Sequence, residues 1–302
     1  MSNTPFEFLQ ACDGIRLRYG FWPRQGKHGG TVVVLGGRAE FMEKYCETIG
    51  ELQIRGFDAF SLDWRGQGLS DRMLADRTRG YVQDYEDYLA DLKLFLDEIV
   101  GPDSSGPLIL MAHSMGATIV LHYLHRYPNC VDKAVLLSPM IRFRTGPVPF
   151  AVAKWYCRLQ TRLGGSCRNM PSPHRNESFQ ESFAVNRLTH DRMRFERVRR
   201  ILREEPQLLV AGVTYGWLAA SFAAIDAIQQ PGFAQGIQTP VLVVTAGRDR
   251  VVSNAATGRL AAQLPAGQAL CIEGAYHEIL QEQDGFRTQF WQAFDRFILR
   301  RH

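Results

Sequence analysis

Apolar and polar positions follow two rhythms along this chain. Near the start, Ile15, Leu17 and Tyr19 alternate with polar residues after Asp13-Gly14, which predicts a hairpin over residues 8–19. Short apolar runs at 31–35, 57–62, 108–112, 134–138, 241–245 and 269–272 then read as buried strands. Between them apolar residues return every three or four positions. Tyr45, Ile49 and Leu52 mark one helix face, ended by Gly56, and Tyr85, Tyr88, Leu89, Leu92, Leu96 and Ile99 mark a second. Residues 117–127 supply another helix, and Phe286, Phe290, Trp291, Phe294, Phe297 and Ile298 stripe a closing one. Short apolar strands separated by helices predict a largely parallel sheet covered on both faces, an α/β fold.

Residues 143–235 break this rhythm. They are rich in Arg, Phe and Trp, helical in pieces, and contain no convincing strand–helix–strand unit. Thr145-Gly-Pro-Val-Pro149 opens the segment and Gln230-Pro-Gly232 closes it. The expected organisation is one catalytic domain formed by residues 1–142 and 236–302, with 143–235 inserted as a mainly helical cap.

Composition narrows the function. With 302 residues, 45% of them apolar and 22% charged, the chain has ample material for a core. A net charge of +4, without basic runs interleaved with aromatics, argues against a nucleic-acid partner. The six cysteines (Cys12, Cys46, Cys130, Cys157, Cys167 and Cys271) lack metal-type spacing and are expected to be free, buried thiols. Met1-Ser-Asn-Thr-Pro-Phe-Glu-Phe8 lacks the pattern of a secretory signal, and no stretch approaches the roughly 20 apolar residues of a membrane span. The expectation is a cytoplasmic protein with neither cofactor nor metal, open to peripheral contact with the inner face of the membrane through the cap.

The chemistry centres on Ser114, in Leu110-Met-Ala-His-Ser-Met-Gly-Ala117, between a predicted strand and a predicted helix. Strand, sharp turn and helix around x-S-x-G resemble the nucleophile elbow of an α/β-hydrolase. A serine nucleophile needs a base, an acid to orient the base, and donors for the oxyanion. In open sheets such residues follow the carboxyl ends of strands. Asp249, in Gly247-Arg-Asp-Arg-Val-Val252, directly follows the run 241–245, and His277, in Gly274-Ala-Tyr-His-Glu278, directly follows 269–272. Their order, Ser, Asp, His, is that of this fold. The N–H of Met115, next to the nucleophile, and the N–H of Arg38, after Gly36-Gly37, are the expected oxyanion donors. His113, His122 and His125 read as structural, and His174 and His190 fall in the cap.

Gly37-Arg-Ala-Glu-Phe-Met-Glu-Lys-Tyr45, Asp63-Trp-Arg-Gly-Gln-Gly-Leu-Ser70, Ala112-His-Ser-Met-Gly116 and Gly274-Ala-Tyr-His-Glu278 together resemble the lysophospholipase and monoacylglycerol lipase group of α/β-hydrolases. In the cap, residues 186–195 and Thr214-Tyr-Gly-Trp217 are similar to bacterial lysophospholipases. The resemblance implies Ser114 as nucleophile, Asp249 as acid and His277 as base. It departs at two places: Gly36 stands where the family often has His, and Ala112 where the elbow usually has Gly.

Phe150, Trp155, Tyr156, Tyr215, Trp217 and Phe222 make the cap apolar enough to bury an acyl chain, although most of them are expected to form the cap's own core. Arg192, Arg194, Arg197, Arg199, Arg200 and Arg203 read as a solvated helix face. The expected substrate is therefore a small-molecule acyl ester, a lysophospholipid or a monoacylglycerol, cleaved by a serine hydrolase. One alternative is an aminopeptidase or amidase of the same fold, holding a substrate ammonium on Glu177, Glu181, Asp191 or Glu196. Another is a non-catalytic binding protein.

Overall fold

The computed structural model describes residues 6–26, 29–104, 106–171 and 182–299; His174, Glu177 and Glu181 lie outside them. In chain order the strands are β1 (Glu7–Gln10), β2 (Arg16–Trp22), β3 (Gly30–Leu35), β4 (Phe57–Leu62), β5 (Arg79–Gly80), β6 (Leu108–His113), β7 (Lys133–Leu137), β8 (Gly212–Val213), β9 (Val241–Ala246) and β10 (Gly267–Ile272). The helices are α1 (Cys46–Ile54), α2 (Tyr85–Phe95), α3 (Gly101–Asp103), α4 (Met115–Arg126), α5 (Phe150–Gln160), α6 (Arg192–Glu204), α7 (Tyr215–Ile228), α8 (Asn254–Ala261) and α9 (Asp284–Leu299).

Eight strands form one sheet in the order β1-β2-β4-β3-β6-β7-β9-β10. The hairpin β1–β2 and the pair β2–β4 are antiparallel, and the remaining pairs of this sheet are parallel. The side-chain alternation of a strand explains why the sheet is covered on both faces. Val32 and Val34 of β3 join one apolar cluster, and Val33 and Leu35 join the other. Ile109 and Met111 of β6 divide from Leu110 and Ala112 in the same way. Helices α1 and α9 close the first face with Ile49, Leu52, Phe290 and Phe294, while α2 and α4 close the second with Leu89, Leu92, Ile119 and Val120. Each such side chain removed from water contributes about 1.5–3 kcal/mol. Because β4, β3, β6, β7, β9 and β10 are paired in parallel, their carboxyl ends share one edge, where loops can converge on a site.

Four features differ from the sequence expectation. Helix α8, short and only weakly striped, was not anticipated. The stripe ending at Ile99 leaves α2 through a π-helical turn at Leu96–Val100. Segment 143–235, read as helical in pieces, contributes the short strand β8, which pairs in parallel with β5. Thr214 strengthens that tie: its hydroxyl donates to the Gly80 carbonyl at 2.8 Å and accepts the Trp217 N–H at 3.1 Å, capping α7. The cysteines are free, as expected, but only Cys157 is buried; the others lie on exposed positions.

Candidate active site

Ser114 occupies the turn between β6 and α4 at φ 51° and ψ −111°, a conformation that costs a non-glycine residue about 1–3 kcal/mol. The surroundings hold it there. Its N–H donates to the Leu137 carbonyl at 2.9 Å, and its carbonyl accepts the Met140 N–H at 3.1 Å. The elbow also needs its second glycine: a Cβ at Gly116 would lie 2.5 Å from the Gly36 carbonyl oxygen. Ala112 is accommodated within the core of β6.

The loops after β9 and β10 bring Asp249 and His277 to this turn. His277 Nε2 lies 3.1 Å from Ser114 Oγ, and His277 Nδ1 lies 2.7 Å from Asp249 Oδ2. All three residues are buried. Asp249 Oδ1 accepts the N–H groups of Val251 and Val252 at 2.7 and 2.9 Å, which fixes the carboxylate plane. Burial pushes the Asp249 carboxyl up, but His277 and those two donors outweigh it and hold it below its ordinary value. An ionised Asp249 accepts Nδ1–H, so the ring presents unprotonated Nε2 to the serine.

Gly36-Gly37-Arg38 passes close by: a Cβ on Gly37 would stand 3.1 Å from that of Ser114. Two N–H groups of this loop are already committed. Gly37 N–H donates to the Glu40 carboxylate and Ala39 N–H to the Gln67 side-chain oxygen, while Trp64 Nε1 pins the Gly36 carbonyl at 2.9 Å. Arg38 N–H lies between the committed pair. Met115 opens α4, where the first N–H groups have no partner within the helix. Trp64 and Gln67 belong to the 63–70 motif, so that motif shapes the loop beside Ser114. In the sequence alone the motif stands out only as a family mark.

A buried charged cluster lies behind the loop. Glu40 accepts from Lys44 at 2.6 Å and from the Tyr45 hydroxyl at 2.5 Å, and its carboxylate is 3.1 Å from His113 Nδ1. Lys44 also pairs with Glu278 at 2.6 Å. His113 Nε2 and the Ser138 hydroxyl both meet the His277 carbonyl, at 3.2 and 2.8 Å. Burial raises the Glu40 carboxyl, yet His113 and Lys44 hold it well below the ordinary range. Burial lowers the His113 ring, yet Glu40 raises it above its usual value. His113 is structural as expected, but its contacts reach the backbone of His277. Glu40 was missed because an acidic residue within a helix-like stretch carries no signal of burial.

Above Ser114 opens a cavity of about 760 Å³, lined by Met140, Phe143, Val152, Trp155, Leu218 and Phe222 among others. Tyr215, Trp217 and Phe222 are buried, and Phe150, Phe143 and Phe222 pack in tilted and edge-on contacts with ring centroids 4.9–5.5 Å apart. Trp155 and Tyr156, expected among core aromatics of segment 143–235, are instead exposed and line the cavity. The arginines also depart from a solvated face. Arg194 pairs with Glu47, Asp191 and Asp284, and Arg197 with Glu47, tying α6 to α1 and α9; Arg199 is buried, whereas Arg192, Arg200 and Arg203 are exposed. His122 and His125 meet the carbonyls of Ala224 and Phe233, and His190 meets Glu282, outside the cavity above Ser114. Among the described residues, no His, Cys, Asp and Glu cluster is arranged to hold a metal ion.

Residues 26–284 match the family model described as serine aminopeptidase, S33. Lysophospholipase L2 of Escherichia coli (strain K12) is 34% identical over 92% of this chain and 82% of its own length. A monoacylglycerol lipase of Mycolicibacterium smegmatis is 25% identical over 90% of this chain and 89% of its own. Among solved structures, a soluble variant of monoglyceride lipase from Saccharomyces cerevisiae superimposes with a TM-score of 0.77 at 17% identity, covering 99% of this chain and 96% of that one. That likeness speaks to the fold.

Proposed function

Because this chain belongs to the serine aminopeptidase S33 family of α/β-hydrolases, within its lysophospholipase and monoacylglycerol lipase group, we propose that it cleaves carboxylic esters of monoacyl lipids through an acyl-enzyme on Ser114. The observation that carries this reading is the hydrogen-bonded line Ser114–His277–Asp249 at the floor of an apolar cavity. Ser114 Oγ attacks the ester carbonyl while His277 Nε2 takes its proton, and Asp249 stabilises the imidazolium. The N–H groups of Met115 and Arg38 hold the oxyanion; one such donor is worth about 2.7–4 kcal/mol. Collapse expels the alcohol, protonated by His277. Water, deprotonated by the same ring, then releases the fatty acid and restores Ser114.

Segment 143–235 serves as the cap. Each acyl methylene it buries contributes about 0.8 kcal/mol. Val148, Val152, Trp155, Tyr156 and Leu163 present exposed apolar surface on α5 and its flanks, which supports peripheral contact with a membrane through this face. No helix among the described residues is long and apolar enough to cross a membrane.

An aminopeptidase reading needs a free carboxylate for the substrate ammonium. The carboxylates lining the cavity, Glu40 and Glu278, are both paired with Lys44, and Asp191 pairs with Arg194. Hydrolysis rates across lysophospholipids, monoacylglycerols, p-nitrophenyl esters and aminoacyl amides test the proposal. It expects monoacyl esters to be turned over and Ser114→Ala to abolish that activity in a folded protein. Preference for the amides, or undiminished ester turnover by the variant, would sink it.

A further inference from the structure

Arg38 combines features that backbone donation to an oxyanion does not require. Its guanidinium is enclosed beside the Trp217 ring, with Cζ 5.2 Å from the centroid. One Nη donates to the Gly212 carbonyl of β8, and Nε is buried without a hydrogen-bond partner. Among the described residues no carboxylate pairs with it; burial pushes its pKa down to about 10, and the nearby titratable groups Tyr88 and Tyr85 offset little of that. An enclosed cation without a counter-charge is costly, and an anionic ligand repays the cost.

Position says which anion. Arg38 lines the large cavity with Ser114 and His277, and it also lines a second cavity of about 250 Å³ beside it. The two have Arg38, Glu40, Leu188 and Glu278 in common. The large cavity is apolar and suits an acyl chain. The small one is mixed: Phe195, Val198 and Leu202 form its apolar wall, and Lys44, Thr189, Arg194 and Gln281 give it a polar side that the large cavity lacks. Its carboxylates are neutralised: Glu40 and Glu278 by Lys44, with His113 also on Glu40. Arg194 is held by Glu47, Asp191 and Asp284. Arg38 is thus an unpaired cation where the two cavities meet, on the loop that faces the ester.

Resting on the ester hydrolysis above, we infer that the Arg38 side chain reads the phosphodiester of the leaving alcohol and so favours lysophospholipids over monoacylglycerols. In such a substrate the ester and the phosphate sit on the two ends of one glycerol unit. A carbonyl seated over Ser114 therefore directs the head group along the same loop toward the guanidinium. A planar guanidinium suits two phosphate oxygens at once, and a neutral glycerol offers it no charge.

The test compares kcat/KM for a lysophosphatidylcholine and a monoacylglycerol of the same acyl chain in wild type, Arg38→Gln and Arg38→Lys. Gln keeps a donor for the Gly212 carbonyl and removes the charge. The lysophospholipid-to-monoacylglycerol ratio is expected to fall at least tenfold in Arg38→Gln, beyond any loss common to both substrates, and to recover partly in Arg38→Lys. A ratio within twofold of wild type in Arg38→Gln would overturn the inference, since equal losses mean that Arg38 only ties β8 to the loop. So would a wild-type enzyme that cleaves monoacylglycerol and leaves lysophosphatidylcholine intact. A wild type that cleaves neither lipid would fail at the earlier step, the ester hydrolysis itself.

Discussion

On the floor of the cavity, the Glu40 carboxylate meets Gly37, Lys44, Tyr45 and His113; across from it, Val152 and Trp155 are 50% and 63% exposed. Floor groups are fixed by hydrogen bonds whose geometry tolerates little error, as the 2.7 Å contact between His277 and Asp249 illustrates. The roof is held together within by tilted aromatic contacts around Phe222 and by the Lys154–Asp226 pair, and it is joined to the rest by a two-residue ladder and a few ion pairs such as Arg194 with Glu47. Chemistry demands atoms placed to within fractions of an ångström, whereas an acyl chain only asks for apolar volume. The two regions should therefore respond to substitution in different currencies, the floor in kcat and the roof in chain-length preference.

The largest effect is expected at the floor. Asp249→Asn removes the charge that fixes the His277 tautomer and should lower kcat about 10⁴-fold on a soluble p-nitrophenyl ester. A loss below tenfold would remove Asp249 from the mechanism. Glu40→Gln comes next. It loosens the grip on Gly37, Lys44 and His113, and a small displacement of the oxyanion loop should lower kcat about 10²-fold with less effect on KM. A change confined to KM would place Glu40 in binding instead.

At the roof, Val152→Ser with Trp155→Ser should lower kcat/KM by an amount that grows with acyl length, reaching about tenfold for long chains. A loss independent of length would merge the roof with the floor. The smallest effect concerns the ion pairs under α6. Burial raises the Glu47 carboxyl, but Arg194, Arg197 and Arg287 outweigh it and hold it at about 2. A depressed carboxyl stabilises the fold above its ordinary range, and that contribution fades as pH falls from 4.5 toward 2. Glu47→Gln should therefore melt below wild type at pH 7, with the gap narrowing by pH 3. A Tm gap that widens on acidification would contradict the pairing.

Legibility in the sequence divides along the same line. Strands buried on both faces leave nearly unbroken apolar runs, so β6 and β9 stand out, and Ser114, Asp249 and His277 are found because each follows an apolar run. The roof hides its organisation. Exposed Trp155 and buried Trp217 look alike in one dimension, because α7 is apolar on most sides and shows no stripe to orient it. The arginines of α6 looked solvated because their partners, Glu47 and Asp284, come from distant parts of the chain. Glu40 and Gln67 were passed over for the same reason: a buried polar side chain is recognised by its partners, and those appear only once the chain is folded.

The account turns on Ser114, and covalent labelling tests it most directly. A fluorophosphonate probe, followed by mass spectrometry of the digested protein, should place one adduct on Ser114. Prior incubation with a slowly turned-over monoacyl ester should block the adduct, and Ser114→Ala should remove it. An active wild-type enzyme that takes up no label, or takes it up at another residue, would contradict the account.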